Sequence, residues 1–254
     1  MKPLFTIVIP ARREEEAIIS TLDALKKKVK TPHEIIVVND SNSSDKTSGV
    51  VKKYLSQKGN SHVKLVTRTN HPKPTFATAL ALGFENAKAD FVLPVMADLC
   101  DAPGDIDRLY EKTQEGWDIV CGSRYVRGGG KKGGPFFQSA CSWIICMSLH
   151  YLTRVPTHDV SNAFKLYRKK ILRDIVIHEK SGVEVSMAIT LQAYFHNAKI
   201  TDIPTTWIGR TLGQSKFKII ERAPKYSHIY IWAVENTVRK LLRLGYKNYV
   251  GKNF

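Results

Sequence analysis

Short apolar runs alternate with segments of helical periodicity along most of the chain. "LFTIVIP" (residues 4–10) is a continuous apolar run of the kind that forms a strand buried on both faces. In "EEEAIISTLDALKKKV" (14–29), Ile18, Leu22, Leu25 and Val29 share one helical face, and the acids precede the lysines, as the helix dipole favours. The pattern repeats as strand "HEIIVVND" (33–40), capped helix "SSDKTSGVVKKYLSQ" (43–57), strand "VKLVTR" (63–68), helix "TFATALALGFENAK" (75–88) and strand "DFVLPVMAD" (90–98). This interval predicts βαβ units: an α/β fold whose mostly parallel sheet carries helices on both faces and binds ligands at the carboxyl ends of its strands.

Farther along, the pattern predicts a helix over 104–116, a strand over 117–126 and a flexible basic loop, "RGGGKKGG" (127–134), suited to ordering over a phosphate. A polar turn (156–162), a strand (163–168), a helix (183–198) and a strand (199–208) follow. The aromatic-rich segment 135–153 receives no element, and no linker or repeat divides the chain.

The 254 residues, 43% hydrophobic, suffice for one large core and exclude a disordered chain. A net charge of +16 predicts attraction to phosphorylated ligands, anionic membrane or nucleic acid. It is local: residues 121–173 hold ten Lys or Arg against one acid, Asp159. No RRM, KH, finger or helix-turn-helix signature accompanies it, so no nucleic-acid partner is expected. Cys100, Cys121, Cys141 and Cys146 lack paired spacing, which suits a reducing compartment. The opening residues read as a strand rather than a signal peptide, and Gly-Gly-Pro, Gln, Ser and His break up 133–153, so no spanning helix is expected there. Between 205 and 254, ten Lys or Arg face Glu221 and Glu235, and Ile229, Trp232, Val234, Val238, Leu241 and Leu242 offer an apolar face. That composition suits an interfacial helix or one packed on the sheet.

Asp40 closes the second predicted strand and Asp98 the one over 90–98, so their carboxylates can converge on one crevice and grip ribose hydroxyls or a divalent cation. The alternatives are local: a turn or cap for Asp40 within "NDSNSSD", and capping of the helix after Pro103 for Asp98 and Asp101. Cys100 has no His or Cys at ligand spacing and reads as a small lining group. There is no P-loop, no GxGxxG after the first strand, where "IPARREEEA" stands instead, and no nucleophile elbow or HExxH helix.

"VIPARREEEAI", "VVNDSNSSDKT", "ADFVLPVMADLCDAP", "IVCGSRYVRGGG", "DVSNAFKLYRK" and "IPTTWIGRTLGQSKFK" stand in the order and approximate spacing of family 2 glycosyltransferases. The likeness runs from about residue 4 to 220 and looks strongest to the dolichyl or polyprenyl phosphate sugar transferases. It implies a GT-A (Rossmann-like) fold over 1–220 and leaves 221–254 unassigned, a segment whose composition reads as a basic amphipathic helix suited to an interface. It implies a metal-dependent, inverting transfer of a hexose from UDP- or GDP-hexose to polyprenyl phosphate, by a cytoplasmic protein held peripherally at an anionic membrane surface. The resemblance places Pro10, Arg12, Glu14, Asp40 and Asp98 on the nucleotide sugar, and Arg124, Arg210, Ser215 and Lys216 on acceptor phosphate. Asp98, with Asp101, would hold Mg2+ or Mn2+. Asp98, Arg124, Asp159, Arg210 and Lys216 form the implied catalytic set. The alternatives are transfer to a soluble glycan hydroxyl, with Asp159 or Glu184 as base, and a non-catalytic nucleotide-sugar-binding protein.

Five departures accompany the resemblance, one of them an extra residue in the Asp40 loop "NDSNSSD". Met96 stands where the first Asp of an Asp-Ala-Asp is usual, and Cys100 where Gln or another oxygen group is common. "KPTFATA" (73–79) replaces a Gly-rich helix start, and "FQSACS" stands where an arginine is common.

Overall fold

A computed structural model describes residues 2–40, 45–68, 74–210 and 219–249, with Asp40, Ile219 and Ile220 described in the backbone only. The chain runs β1 (Phe5–Ala11), α1 (Ile18–Lys28), β2 (His33–Asp40), α2 (Thr47–Leu55), β3 (Val63–Arg68), α3 (Phe76–Asn86), β4 (Phe91–Pro94) and α4 (Ile106–Thr113). It continues with β5 (Ile119–Ser123), β6 (Gly130–Lys132), α5 (Phe136–Thr153), β7 (Lys165–Arg168), α6 (Val185–Phe195), β8 (Ile200–Pro204), β9 (Thr206–Ile208) and α7 (Ile219–Leu241).

Seven strands form one sheet in the order β3-β2-β1-β4-β7-β5-β8, and β6 pairs with β9 in a separate ribbon. The strand-to-strand pairings are parallel except where β7 runs antiparallel between β4 and β5. The period of two splits each central strand between two layers. Phe5, Ile7, Ile9, Ile35 and Val37 pack with Ile18, Leu22, Leu25 and Leu109 on one face. Val8, Ile36 and Val38 pack with Leu80, Phe84 and Ile189 on the other. A third cluster joins α5, α6 and α7 through Cys146, Leu149, Met187, Leu191, Ile229 and Trp232.

At the amino edge, buried Glu34 of β2 accepts Thr6 Oγ1 (2.8 Å) from β1, Lys64 Nζ (2.8 Å) from β3 and the Lys88 N–H (2.7 Å). Burial works against its charge, but these donors hold its carboxyl below the usual range.

The structure shortens or divides several predicted elements. The strand expected over 90–98 stops at Pro94, as β4: Val95 N–H still reaches Val8 O (3.0 Å), but Met96 N–H turns to Asp101 Oδ2 (2.8 Å), so Asp98 sits in a turn beyond the strand. The basic glycine loop contains β6, because Gly130 N–H donates to Thr205 O (3.0 Å) and its neighbours pair with β9. The strand expected over 199–208 divides at Thr205 between the two sheets. Segment 135–153 is the eighteen-residue helix α5.

α3 crosses β1 so closely that a Cβ on Gly83 would overlap the Val8 side chain. Gly83→Ala is expected to lower unfolding stability by about 1–3 kcal/mol through overpacking, measured by urea denaturation.

Candidate active site

The candidate site lies at the carboxyl rim of β1, β4 and β5. The antiparallel course of β7 brings the loop before it to that same rim. A chain of hydrogen bonds to and from the backbone assembles it. Thr21 Oγ1 donates to Ala97 O (2.8 Å), Leu99 takes a positive φ of 58°, and Cys100 N–H donates to Asp98 Oδ1 (3.2 Å), fixing the Asp98 turn. Ile208 N–H donates to Cys100 O (3.0 Å), tying the end of β9 to that turn.

Two residues past β9, Arg210 lies between two carboxylates. Its Nη2 is 3.0 Å from both Asp98 Oδ2 and Glu14 Oε1, and its Nε is 3.1 Å from Asp98 Oδ2. All three side chains are mostly shielded from water. The carboxylates hold the guanidinium in its charged form against the cost of its burial. Glu14 is placed by the turn entering α1, where its N–H donates to Thr47 Oγ1 (3.0 Å) and its carbonyl accepts the Ile18 N–H (2.9 Å).

Arg124, just past β5, meets Asp159 in a fork: Nε to Oδ2 at 2.6 Å and Nη2 to Oδ1 at 2.7 Å. Their side chains are 10% and 0% exposed. Burial alone would raise the Asp159 carboxyl, but the guanidinium and its donors hold it below the ordinary aspartate value of 3.8. Beneath the fork, buried Lys165 donates to Val160 O (2.8 Å) and Asn162 O, and Asn162 Nδ2 donates to Gly122 O (2.8 Å).

Glu14, Asp98 and Arg210 are therefore together, and Arg124 and Asp159 are locked to each other. Pro10 pairs with Val38 within the sheet, and Arg12 reaches Pro74 O (3.4 Å). Asp40 closes β2 opposite Arg68, and its side chain lies outside the described residues, as do Ser215 and Lys216. Asp101 is buried and turned to Met96 N–H, with burial pushing its carboxyl up to about 7. Glu184 is buried against Arg222 (3.0 Å) and Lys225 (3.7 Å), anchoring α7 to the start of α6.

Two groups went unread in the sequence. Asp45 accepts the Arg13 N–H and Asn39 Nδ2 (both 3.0 Å), shaping the turn before α1. Lys131 of β6 lies over the Trp207 ring (4.7 Å) and donates to Ser139 Oγ (2.7 Å). The basic glycine loop was its signal, but its pairing partner is 76 residues away.

The donor set does not fit a carboxylate-built divalent cation site. Met96 brings no carboxylate, and Cys100 is a buried thiol. Both Asp98 oxygens already accept hydrogen bonds, from Cys100 N–H and Arg210. Among the described residues no group of three or more His, Cys, Asp or Glu is placed to hold a metal ion.

The fold can now be set beside known proteins. Glucosyl-3-phosphoglycerate synthase of Mycobacterium tuberculosis, solved with Mn2+, UDP and glucosyl-3-phosphoglycerate, superposes with a TM-score of 0.64 at 17% identity, covering 96% of this chain and 81% of that one. The architecture is that of the GT-A glycosyltransferases, which act on nucleotide sugars. The family model for glycosyl transferase family 2 matches residues 6–176, and the chain belongs to that family. Among its relatives are an undecaprenyl-phosphate 4-deoxy-4-formamido-L-arabinose transferase of Serratia proteamaculans and a dolichol-phosphate mannosyltransferase of Pyrococcus furiosus, each 27% identical. The matches cover 85% and 89% of this chain, but 63% and 62% of those relatives, so the chain spans under two thirds of their lengths.

Asp159→Asn leaves Arg124 buried without its counter-charge and is expected to cost about 3–5 kcal/mol of stability at pH 7. Because the native Asp159 carboxyl titrates low, its contribution is present above pH 3.8 and is lost as the pH falls through its lower native value. Chemical denaturation across pH should therefore show the gap between wild type and variant closing in acid.

Proposed function

We propose that the chain transfers a hexose from a nucleotide diphosphate sugar held along the carboxyl rim. The Glu14–Arg210–Asp98 bridge carries this reading. It puts a fixed guanidinium, in water-shielded surroundings, beside the rim where GT-A folds hold nucleotide sugars. In the transfer, the bond between the sugar's anomeric carbon and the diphosphate oxygen breaks, and an acceptor oxygen bonds to that carbon. Negative charge then grows on the departing diphosphate, and a preorganised cation lowers the barrier. Lys131, on the neighbouring ribbon, supplies a second positive group.

For the acceptor, a soluble molecule comes first. It is supported by the structurally similar synthase, whose complex contains glucosyl-3-phosphoglycerate. A soluble hydroxyl must lose its proton to a base, and Asp159 and Glu184 are both engaged in buried ion pairs. The positive groups at the rim, Arg210 and Lys131, favour an anionic soluble acceptor over a plain glycan.

Polyprenyl phosphate at a membrane surface is the second reading. The names of both relatives support it, and a phosphate oxygen needs no base. α5 also exposes Phe137 (70%), Ile144 (58%) and Tyr151 (73%) at seven-residue spacing, so they share one face, with Phe136 (88%) beside them. Among the described residues no helix is long and apolar enough to cross a membrane. Contact with lipid through these residues would therefore be peripheral, with α7 packed beside α5.

The test is a transfer assay with UDP- and GDP-hexoses against soluble phosphorylated acids, soluble glycans, and polyprenyl phosphate in anionic liposomes. Product on a soluble phosphorylated acid is the expected outcome, and product confined to the lipid phosphate would establish the second acceptor. Nucleotide binding without transfer to any of the three would leave a sensor in place of an enzyme.

A further inference from the structure

The fold family uses a divalent cation to screen the diphosphate, yet this chain presents a different set of groups at that place. Of the usual carboxylate pair only Asp98 is present, because Met96 replaces the first. Asp101, the nearest other acid in sequence, has its Oδ2 on Met96 N–H inside the protein. Cys100 contributes its N–H to Asp98, not a ligand oxygen. Mg2+ and Mn2+ bind through oxygen lone pairs, and here those of Asp98 face hydrogen-bond donors. To use Asp98, a metal would have to displace a guanidinium that Glu14 also holds.

That guanidinium is no accident of side-chain reach. Ile208 N–H on Cys100 O fastens the chain two residues before Arg210 to the Asp98 turn, and β9 is itself fastened to β6. Arg210 thus arrives at Asp98 on a braced segment. A planar fork of donors also matches phosphate oxygens as well as it matches carboxylates.

Building on the nucleotide-sugar function proposed above, we infer that Arg210 is the counter-cation of this crevice and that its guanidinium neutralises the bound diphosphate, so nucleotide binding does not depend on a divalent metal. Glu14, Asp98 and Arg210 together carry one net negative charge. An incoming diphosphate therefore shares Arg210 with the two carboxylates, which compete with it for the guanidinium. Asp98 acts as the holder of Arg210, and its charge opposes the nucleotide rather than recruiting it through a metal.

This assigns opposite signs to one substitution. If Asp98 holds a metal, Asp98→Asn weakens nucleotide binding. If Asp98 holds Arg210, the variant frees the guanidinium and binding without metal is retained or tightened.

The experiment is calorimetric titration of UDP and GDP into the full chain, in EDTA and in Mg2+ or Mn2+, for wild type, Asp98→Asn, Arg210→Ala and Arg210→Lys. Melting temperatures confirm that each variant is folded. Wild type is expected to bind one nucleotide in EDTA within about threefold of its affinity with metal, a difference under 1 kcal/mol. Arg210→Ala should lose about tenfold or more in EDTA, the weight of one charged hydrogen-bonding group, with Arg210→Lys between. Asp98→Asn should bind at least as well as wild type. Nucleotide binding that appears only with metal, or that Asp98→Asn abolishes, would overturn the inference and leave the glycosyltransferase function intact. Failure of the folded wild type to bind either nucleotide under any of these conditions would overturn both. If Arg210→Ala does not fold, the EDTA comparison and Asp98→Asn still decide.

Discussion

One backbone hydrogen bond, from Ile208 N–H to Cys100 O, holds the rim together. It joins a residue near the end of the described sheet region to a turn over a hundred residues earlier. It brings Arg210 within reach of both the Asp98 turn and Glu14 across the crevice. The bond forms because β4 ends early. Once Met96 N–H turns to Asp101, the chain leaves the ladder and presents the Cys100 carbonyl outward. Buried Asp101 is thus the foundation of the turn, and the burial that raises its carboxyl is the cost of that position.

A second pillar stands beside the first. β7 reverses direction among parallel neighbours, so the loop entering it and the loop leaving β5 share a rim, and Asp159 closes on Arg124 there. Removing charges from water costs several kcal/mol apiece, so such a pair is retained only with good geometry and further donors. The Arg124 N–H, the Ser161 hydroxyl and the Asn162 N–H supply them to Asp159. The rim thus contains one ion pair that is closed on itself and one three-membered bridge that still carries net charge. Only the second has electrostatic work left to do on a ligand.

Much of this was legible in the sequence. The doubly covered sheet followed from apolar runs such as "TIVIP" alternating with amphipathic segments, because a period of two or 3.6 is a local property. Glu14, Asp98, Arg124, Asp159 and Arg210 were named from family motifs, yet their pairing was not foreseen. Asp159 read as a candidate base because nothing local reveals that Arg124, 35 residues earlier, claims both its oxygens. The split of 199–208 at Thr205 and the strand inside "RGGGKKGG" escaped for the same reason, since each exists only through pairing with the other. α5 escaped because serines and aromatic groups blur its faces, and only packing against α6 and α7 defines its buried side.

The opposite edge of the sheet has its own knot. Glu34 gathers a threonine, a lysine and a backbone amide from three segments, far along the strands from the rim where Arg210 sits. Strength is thereby concentrated at the floor of the open sheet, and chemistry at its lip. The lip is left with room to exchange residues as donors and acceptors diversify, while the floor answers only to the demand that the strands stay in register.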